Sequence, residues 1–301
     1  MSDDASPDDT EKIVAKYREK SPNLKYIRQA QNIGLDRNFL AVMDAATGDY
    51  IWLMGDDDRV EPGGAARVIK AIEHWPGIAG LTVGVVDYDP EMKRATGVRL
   101  TPPTQRMEGA ANVFGAIADL LGFMSALVVN RKLWREVAHL DAVRRYENYY
   151  VQVYIIGRII DQGGSWGVLS EPCVGFRTGN DQFLAKFGWL ERLKIDVVAY
   201  DQIANGLFGN DRAAKRKMQS RILSSHVFAR LLNTKTSPGR TPHVMRAAAF
   251  LFWRYKGLRG YWTRVLPTLL LPKWSLRTAR SLYQRFARSS GAARARTIAT
   301  H

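Results

Sequence analysis

Residues 31–62 read QNIGLDRNFLAVMDAATGDYIWLMGDDDRVEP. Leu35–Ala46 spaces its apolar residues as a helix does and is closed by Gly48. Tyr50–Met54 is an apolar run, read as a buried strand, and it feeds three successive carboxylates, Asp56, Asp57 and Asp58. Packed like charges repel, so such a triad costs stability unless a cation sits among them. Hard oxygen donors suit Mg2+ or Mn2+, which bridge carboxylates to substrate phosphates. A solvated acidic turn would have the same composition. The position at a strand end favours chemistry, because parallel sheets bind ligands at the carboxyl ends of their strands.

Working outward, strand-like and helix-like runs alternate. Asp8–Lys20 reads as a helix with Ser6 as its cap, and Leu24–Gln29 as a short strand. Pro62–Trp75 reads as a helix, Ile78–Val86 as a buried strand, and Ala110–Leu121 as a helix after the loop Thr101–Pro103. Ser125–Val129, Arg131–His139 and Tyr149–Ile160 continue as strand, helix and helix, and a further strand carries Cys173. This alternation predicts an α/β fold, a mostly parallel sheet flanked by helices.

The 301 residues suffice for one large domain or two modest ones, and 46% apolar with 24% charged residues is a globular composition. A single cysteine, Cys173, excludes a disulfide framework and fits a reducing compartment. The polar, acidic first residues do not read as a signal peptide, and no apolar run is long enough to span a bilayer. The net charge of +15 conceals an asymmetry. Residues 1–209 hold 24 Lys and Arg against 28 acids, whereas 210–301 hold 20 against one, Asp211. The chain is therefore read as two parts, 1–209 and 210–301. In the second, Leu276, Ala279, Leu282, Tyr283, Phe286 and Ala287 fall on one helical face and Arg277, Arg280, Arg285 and Arg288 on another. His243–Lys256 mixes aromatic and basic residues in the same way. Amphipathic basic helices of this kind suit an anionic membrane surface, and no nucleic-acid motif is present.

The segment Gln31–Pro62 resembles the N-x-G-x-x-x-N … A-x-G-x-Y-I-x-x-L-D-x-D-D-x-x-x-P block of inverting family 2 glycosyltransferases of GT-A fold. Asn32, Gly34, Asn38, Ala46, Gly48, Tyr50 and Pro62 fall in register. The opening Ser2–Thr10 resembles that family's DDGSTDGT segment. Gly55 stands at the usual first Asp, and this GDDD variant with the later Arg177–Phe183 stretch RTGNDQF resembles an abequosyltransferase-type subgroup of O-antigen synthesis. The resemblance implies roles. Asp3 or Asp4 meets the nucleobase of a nucleotide-sugar donor. Asp57 holds Mn2+ or Mg2+ on the diphosphate, with Asp56 and Asp58 beside it. Asn32 and Asn38 serve local structure or the ribose, and Arg177 pairs with phosphate oxygens.

Inversion needs a general base for the acceptor hydroxyl. The family places it in a Glu-Asp pair at the start of a helix. Here the matching residues are Glu147 and Asn148; an amide cannot take a proton, which leaves Glu147, with Asp141 and Asp181 as alternatives. The implied acceptor is a polyprenyl-linked or polysaccharide glycan, used by a peripheral protein at the cytoplasmic membrane face. The resemblance also implies a strand and helix before Ser2, so a sheet lacking its first strand is expected. An inactive remnant, or a basic membrane- or nucleic-acid-binding protein, is the competing reading.

Overall fold

A computed structural model describes residues 1–99, 102–239 and 241–282. In chain order the strands and helices are β1 (Ser2–Asp3), α1 (Thr10–Lys20), β2 (Ile27–Arg28), α2 (Leu35–Ala45), β3 (Tyr50–Trp52), β4 (Arg59–Val60), α3 (Gly64–His74), β5 (Gly80–Tyr88), β6 (Ala95–Val98), β7 (Gln105–Met107), α4 (Ala110–Ile117), β8 (Leu127–Asn130), α5 (Arg131–Ala138), α6 (Val151–Asp161), β9 (Trp166–Arg177), α7 (Gln182–Phe208), α8 (Arg212–Ile222), α9 (Phe228–Thr236), α10 (Val244–Tyr255) and α11 (Leu266–Leu270). Residues 273–282 are also helical. The proposed amphipathic face beyond Leu282, with Tyr283, Phe286, Arg285 and Arg288, lies outside the described residues.

The chain forms two compact units. The first comprises Met1–Lys186 and Ile195–Arg221, the second Phe187–Lys194 and Ile222–His301. The first unit is α/β, built on a sheet of order β3-β8-β5-β9-β4, with β6 on β5 and β7 on β9. β5 is central and buried along most of its length, as its near-continuous apolar sequence requires. Val68 and Ala71 of α3 pack on it with Leu81, Val83, Val85 and Val128. α6 is buried on almost every side. Phe39 of α2 meets Trp134 of α5 at 5.6 Å between ring centroids, which seats α2 on the same unit.

The sheet corrects one expectation: it is mixed, not mostly parallel. β5 and β9 run parallel, but β3–β8, β5–β8, β4–β9, β5–β6 and β7–β9 are all antiparallel. A tight Asp89–Arg94 turn folds β6 back on β5 as an antiparallel hairpin. β6 is exposed along its whole length and lacks the apolar alternation that marks a strand. β1 and β2 pair with each other in a separate two-stranded parallel ribbon.

Two local expectations change as well. Ser6 does not cap α1; Asp9 stands at the cap position, without a side-chain bond, and Ser6 N–H donates to Asp3 instead. α6 starts at Val151, two residues late, because Tyr149 sits at φ +75°.

The described residues of the second unit are mainly helical. Val227 and Leu231 of the α9 region, Leu251 and Tyr255 of α10, and Tyr261, Val265 and Leu269 around α11 are buried at spacings of three to four residues. Among the described residues, no helix is long and apolar enough to cross a membrane.

Candidate active site

The turn after β3 holds the three acids. Ser125, just before β8, organises it: its Oγ accepts from Gly55 N–H at 2.9 Å and donates to Asp58 Oδ2 at 2.5 Å. Gly55 is tightly enclosed. A Cβ there would lie 3.1 Å from Asp57 Oδ1, 3.3 Å from Asp58 Oδ2 and 3.3 Å from Ser125 Oγ. This close approach gives a local reason for glycine where the family carries its first Asp. Asp56 is exposed, whereas Asp57 and Asp58 are half-buried.

The β9–α7 connection closes over this turn. Asn180 Nδ2 donates to Asp57 Oδ2 at 2.8 Å. Arg177 donates through Nε to the Asp57 carbonyl at 3.2 Å, through its backbone N–H to Asp58 Oδ1 at 3.3 Å, and through Nη1 to the Pro90 carbonyl at 2.7 Å. Arg99 lies over the rings of both Phe123 and Phe176, 4.3 and 4.2 Å from their centroids, and Asp87 holds it at 3.0 Å. Burial pushes the Asp58 carboxyl above its ordinary value, the Ser125 bond opposes this, and the Asp57 charge adds to it.

Asp57 Oδ1 takes no protein hydrogen bond among the described residues. Nor does any group of three or more His, Cys, Asp or Glu side chains there converge as a metal cage. Two hard carboxylates with an unused oxygen fit Mg2+ or Mn2+, which take one or two protein carboxylates and complete their shell with water and substrate phosphate.

A second cluster surrounds the start of α2. Asp4 accepts from Ile33 N–H at 2.7 Å and Gly34 N–H at 3.1 Å; Gly34 sits at φ +91°, which glycine adopts without strain. Asn32 Nδ2 donates to the Asp4 carbonyl at 3.4 Å, and Asn38 Oδ1 accepts from Ser2 Oγ at 2.5 Å. Asp3 is buried, accepting from Tyr26 Oη at 2.5 Å and Ser6 N–H at 2.8 Å. Burial alone would raise its carboxyl, but these bonds and nearby Arg28 outweigh it and leave it below the usual range.

Buried Asp36, unremarked in the sequence, links α2 to the 147–151 turn. Its carboxylate accepts from Tyr149 N–H at 2.7 Å and Val151 N–H at 3.3 Å, and burial raises its pKa. Glu147 does not stand at the start of a helix. It ends a 3-10 turn, Asp141–Tyr146, four residues before α6, and meets Arg37 Nε at 2.9 Å. Asn148 donates to Gln202 at 2.9 Å while its Oδ1 is buried with no donor among the described residues. A carboxylate there would bury an unrelieved charge, so the amide fits. Tyr149 then packs edge-on against Phe183 of α7 at 4.9 Å, and Asp181 caps that helix by accepting from Leu184 N–H at 2.8 Å.

The named residues thus join in one contact chain: Asp4 to the start of α2, Asp36 and Arg37 to Glu147 and Tyr149, Tyr149 to Phe183, and Asn180 to Asp57. Ser125 and Asp36 are the members that sequence motifs miss, and Asn180 lies in the RTGNDQF stretch without a role assigned to it. Each is a single polar residue whose contact is long-range.

The comparisons with known proteins agree with this architecture. Residues 1–129 match the family model "Glycosyl transferase family 2". The chain is 27% identical over 248 residues to the abequosyltransferase RfbV of Salmonella typhimurium, covering 74% of this chain and 69% of that protein. An uncharacterized protein of Mycobacterium tuberculosis is 36% identical over 78 residues, 25% of this chain and 22% of its own length. Among solved structures, S. aureus TarS 1–349 in complex with UDP-GlcNAc superposes with a TM-score of 0.57 at 14% identity, over 83% of this chain and 70% of that one. Residues 1–129 are thus similar to family 2 glycosyltransferases, and the α/β fold is like that of the solved TarS chain.

Proposed function

We propose that the protein transfers a sugar from a nucleotide-sugar donor to a lipid-linked or polysaccharide acceptor in cell-surface glycan synthesis, at the cytoplasmic face of a membrane. The observation that supports this best is Asp57. It stands at the end of β3, held by Asn180 and Arg177, with one carboxylate oxygen left over. Asp57 and Asp58 would hold the divalent cation, and a bound cation would supply charge neutralisation to the departing diphosphate. Asp56, exposed beside them, would face the donor.

Asp3 and Asp4, with Asn32 and Asn38, would form the edge that receives the nucleoside. Arg177 spends two of its donors on the Asp57 turn and Pro90, so its first task is to fix that turn, with phosphate contact left to its remaining N–H groups. In the transfer, an acceptor hydroxyl oxygen bonds to the anomeric carbon while the bond from that carbon to the diphosphate oxygen breaks. The hydroxyl proton passes to Glu147, and the nucleoside diphosphate leaves with the electron pair. Asp36 keeps the Glu147–Tyr149 turn in place, and Asp181 does the same for the start of α7.

The test is calorimetric binding of UDP-, dTDP-, GDP- and CDP-sugars with and without Mn2+, followed by transfer to a membrane-lipid extract. Cation-dependent binding of one donor class and its turnover are expected. No binding of any donor would favour an inert remnant.

A further inference from the structure

α10 is apolar on two opposite faces. Ala247, Leu251 and Tyr255, spaced by four, are buried and make its inner stripe. Met245, Ala249 and Trp253, also spaced by four, lie on the far side and are exposed, Met245 by 73% and Trp253 by 70%. A surface helix normally turns charge outward, so the second stripe needs an occupant. Phe252 ties it to its neighbours, lying 5.5 Å from Trp253 and 6.2 Å from Trp262, which is 51% exposed. Lys256 Nζ sits 4.5 Å from the centre of the Trp253 ring, its carbonyl accepts from Trp262 Nε1 at 2.8 Å, and Arg254 lies over Phe250 at 4.0 Å. One patch therefore presents indole rings interleaved with cations.

Charge identifies the occupant. The second unit holds 17 Lys and Arg against a single acid, Glu191, which Lys194 engages at 2.7 Å. A second copy of this unit would bring the same positive field and be repelled. Indole rings favour the headgroup layer of a bilayer, and cations favour its anionic lipids.

We propose that the Met245–Trp253 face of α10, with Trp262 and Lys256, is the surface by which the second unit lies in the interfacial layer of an anionic bilayer. This deepens the membrane location in the proposed function, but its test reads binding and not transfer.

The experiment is flotation of the full chain with phosphatidylglycerol–phosphatidylcholine vesicles and with pure phosphatidylcholine. The wild type should float with the first and not with the second. M245E/W253E should bind at least tenfold more weakly, since it removes the apolar anchor and adds two anions. Lys256→Gln should weaken binding by roughly fivefold, the effect of one surface cation. All these side chains are exposed, so thermal unfolding without lipid should match the wild type. Tryptophan emission should shift to the blue with anionic vesicles, and Trp253→Phe should remove part of that shift. Binding unchanged by M245E/W253E would overturn the proposal, as would equal flotation with neutral vesicles. Self-association in light scattering that M245E/W253E abolishes would also overturn it, in favour of a second copy.

Discussion

The two units handle charge in opposite ways. In the first, the carboxylates of the candidate site meet donors at close range. Asp4 and Asp36 each take two backbone N–H groups, Asp57 takes Asn180, and Asp58 takes Ser125 and the Arg177 amide. In the second, several described cations meet carbonyls. Lys273 and Arg277 donate to the Ser237 carbonyl, Arg277 also to that of Thr236, and Lys235 to that of Leu269. Cations at the end of α9 complement its dipole. A carbonyl satisfies hydrogen bonds but cancels no net charge. The acids of the first unit are thus held by close donors, whereas the second unit keeps a large net positive charge.

The largest expected effect tests whether the first unit's acids perform chemistry or only hold turns. Glu147→Gln keeps the shape of the side chain and removes proton acceptance. If Glu147 is the base, kcat should fall about 10²–10⁴-fold with donor binding intact. If it only pairs with exposed Arg37, the loss should stay within a few-fold, as for surface ion pairs. Asp57→Asn comes next. Removing one preorganised electrostatic contact to the departing group should cost roughly 10²–10³-fold in kcat. It should also abolish any thermal stabilisation by Mn2+, which wild type shows only if the native state binds the ion. Full turnover in Asp57→Asn would return the triad to a plain surface turn.

How far the sequence carries can be argued from the same residues. β3, α2 and the acidic turn were legible because their apolar periodicity and their motif agree over a short span. β6 and β7 were not, since short exposed strands carry no hydrophobic signal and are fixed by their neighbours. Asp36 reads as an ordinary acid in a first helical turn, where dipole complementarity explains it without a distant partner. Only folding brings the amides of Tyr149 and Val151 to it, from more than 110 positions away. The motif singles out Glu147 but not its Arg37 partner or its place outside the helix.

Two tryptophans sharpen the comparison in stability. Trp134 is fully buried in the first unit, and Trp253 is 70% exposed in the second. Trp134→Ala should cost about 3–5 kcal/mol by chemical denaturation, through lost burial and a cavity. Trp253→Ala should change stability by less than about 0.5 kcal/mol, since it leaves no cavity. A large cost at Trp253 would mean that the α10 outer stripe serves the fold.

The smallest effect is electrostatic and has a defined sign. Burial raises the Asp58 carboxyl, and the Asp57 charge raises it further against the Ser125 bond. The native state therefore holds this proton more tightly than the unfolded chain does. Its contribution to stability is fully present below the ordinary carboxylate range and is lost as pH climbs through the raised value. Asp58→Asn removes that loss while keeping an oxygen for one of its two contacts. The variant should unfold at a higher temperature than wild type at neutral pH, and the gap should close in strongly acidic buffer. Excess Mg2+ should also narrow it, because a bound cation relieves the same repulsion in the wild type. A gap that persists unchanged at acid pH would place the effect in packing around Gly55 and Ser125 and not in charge.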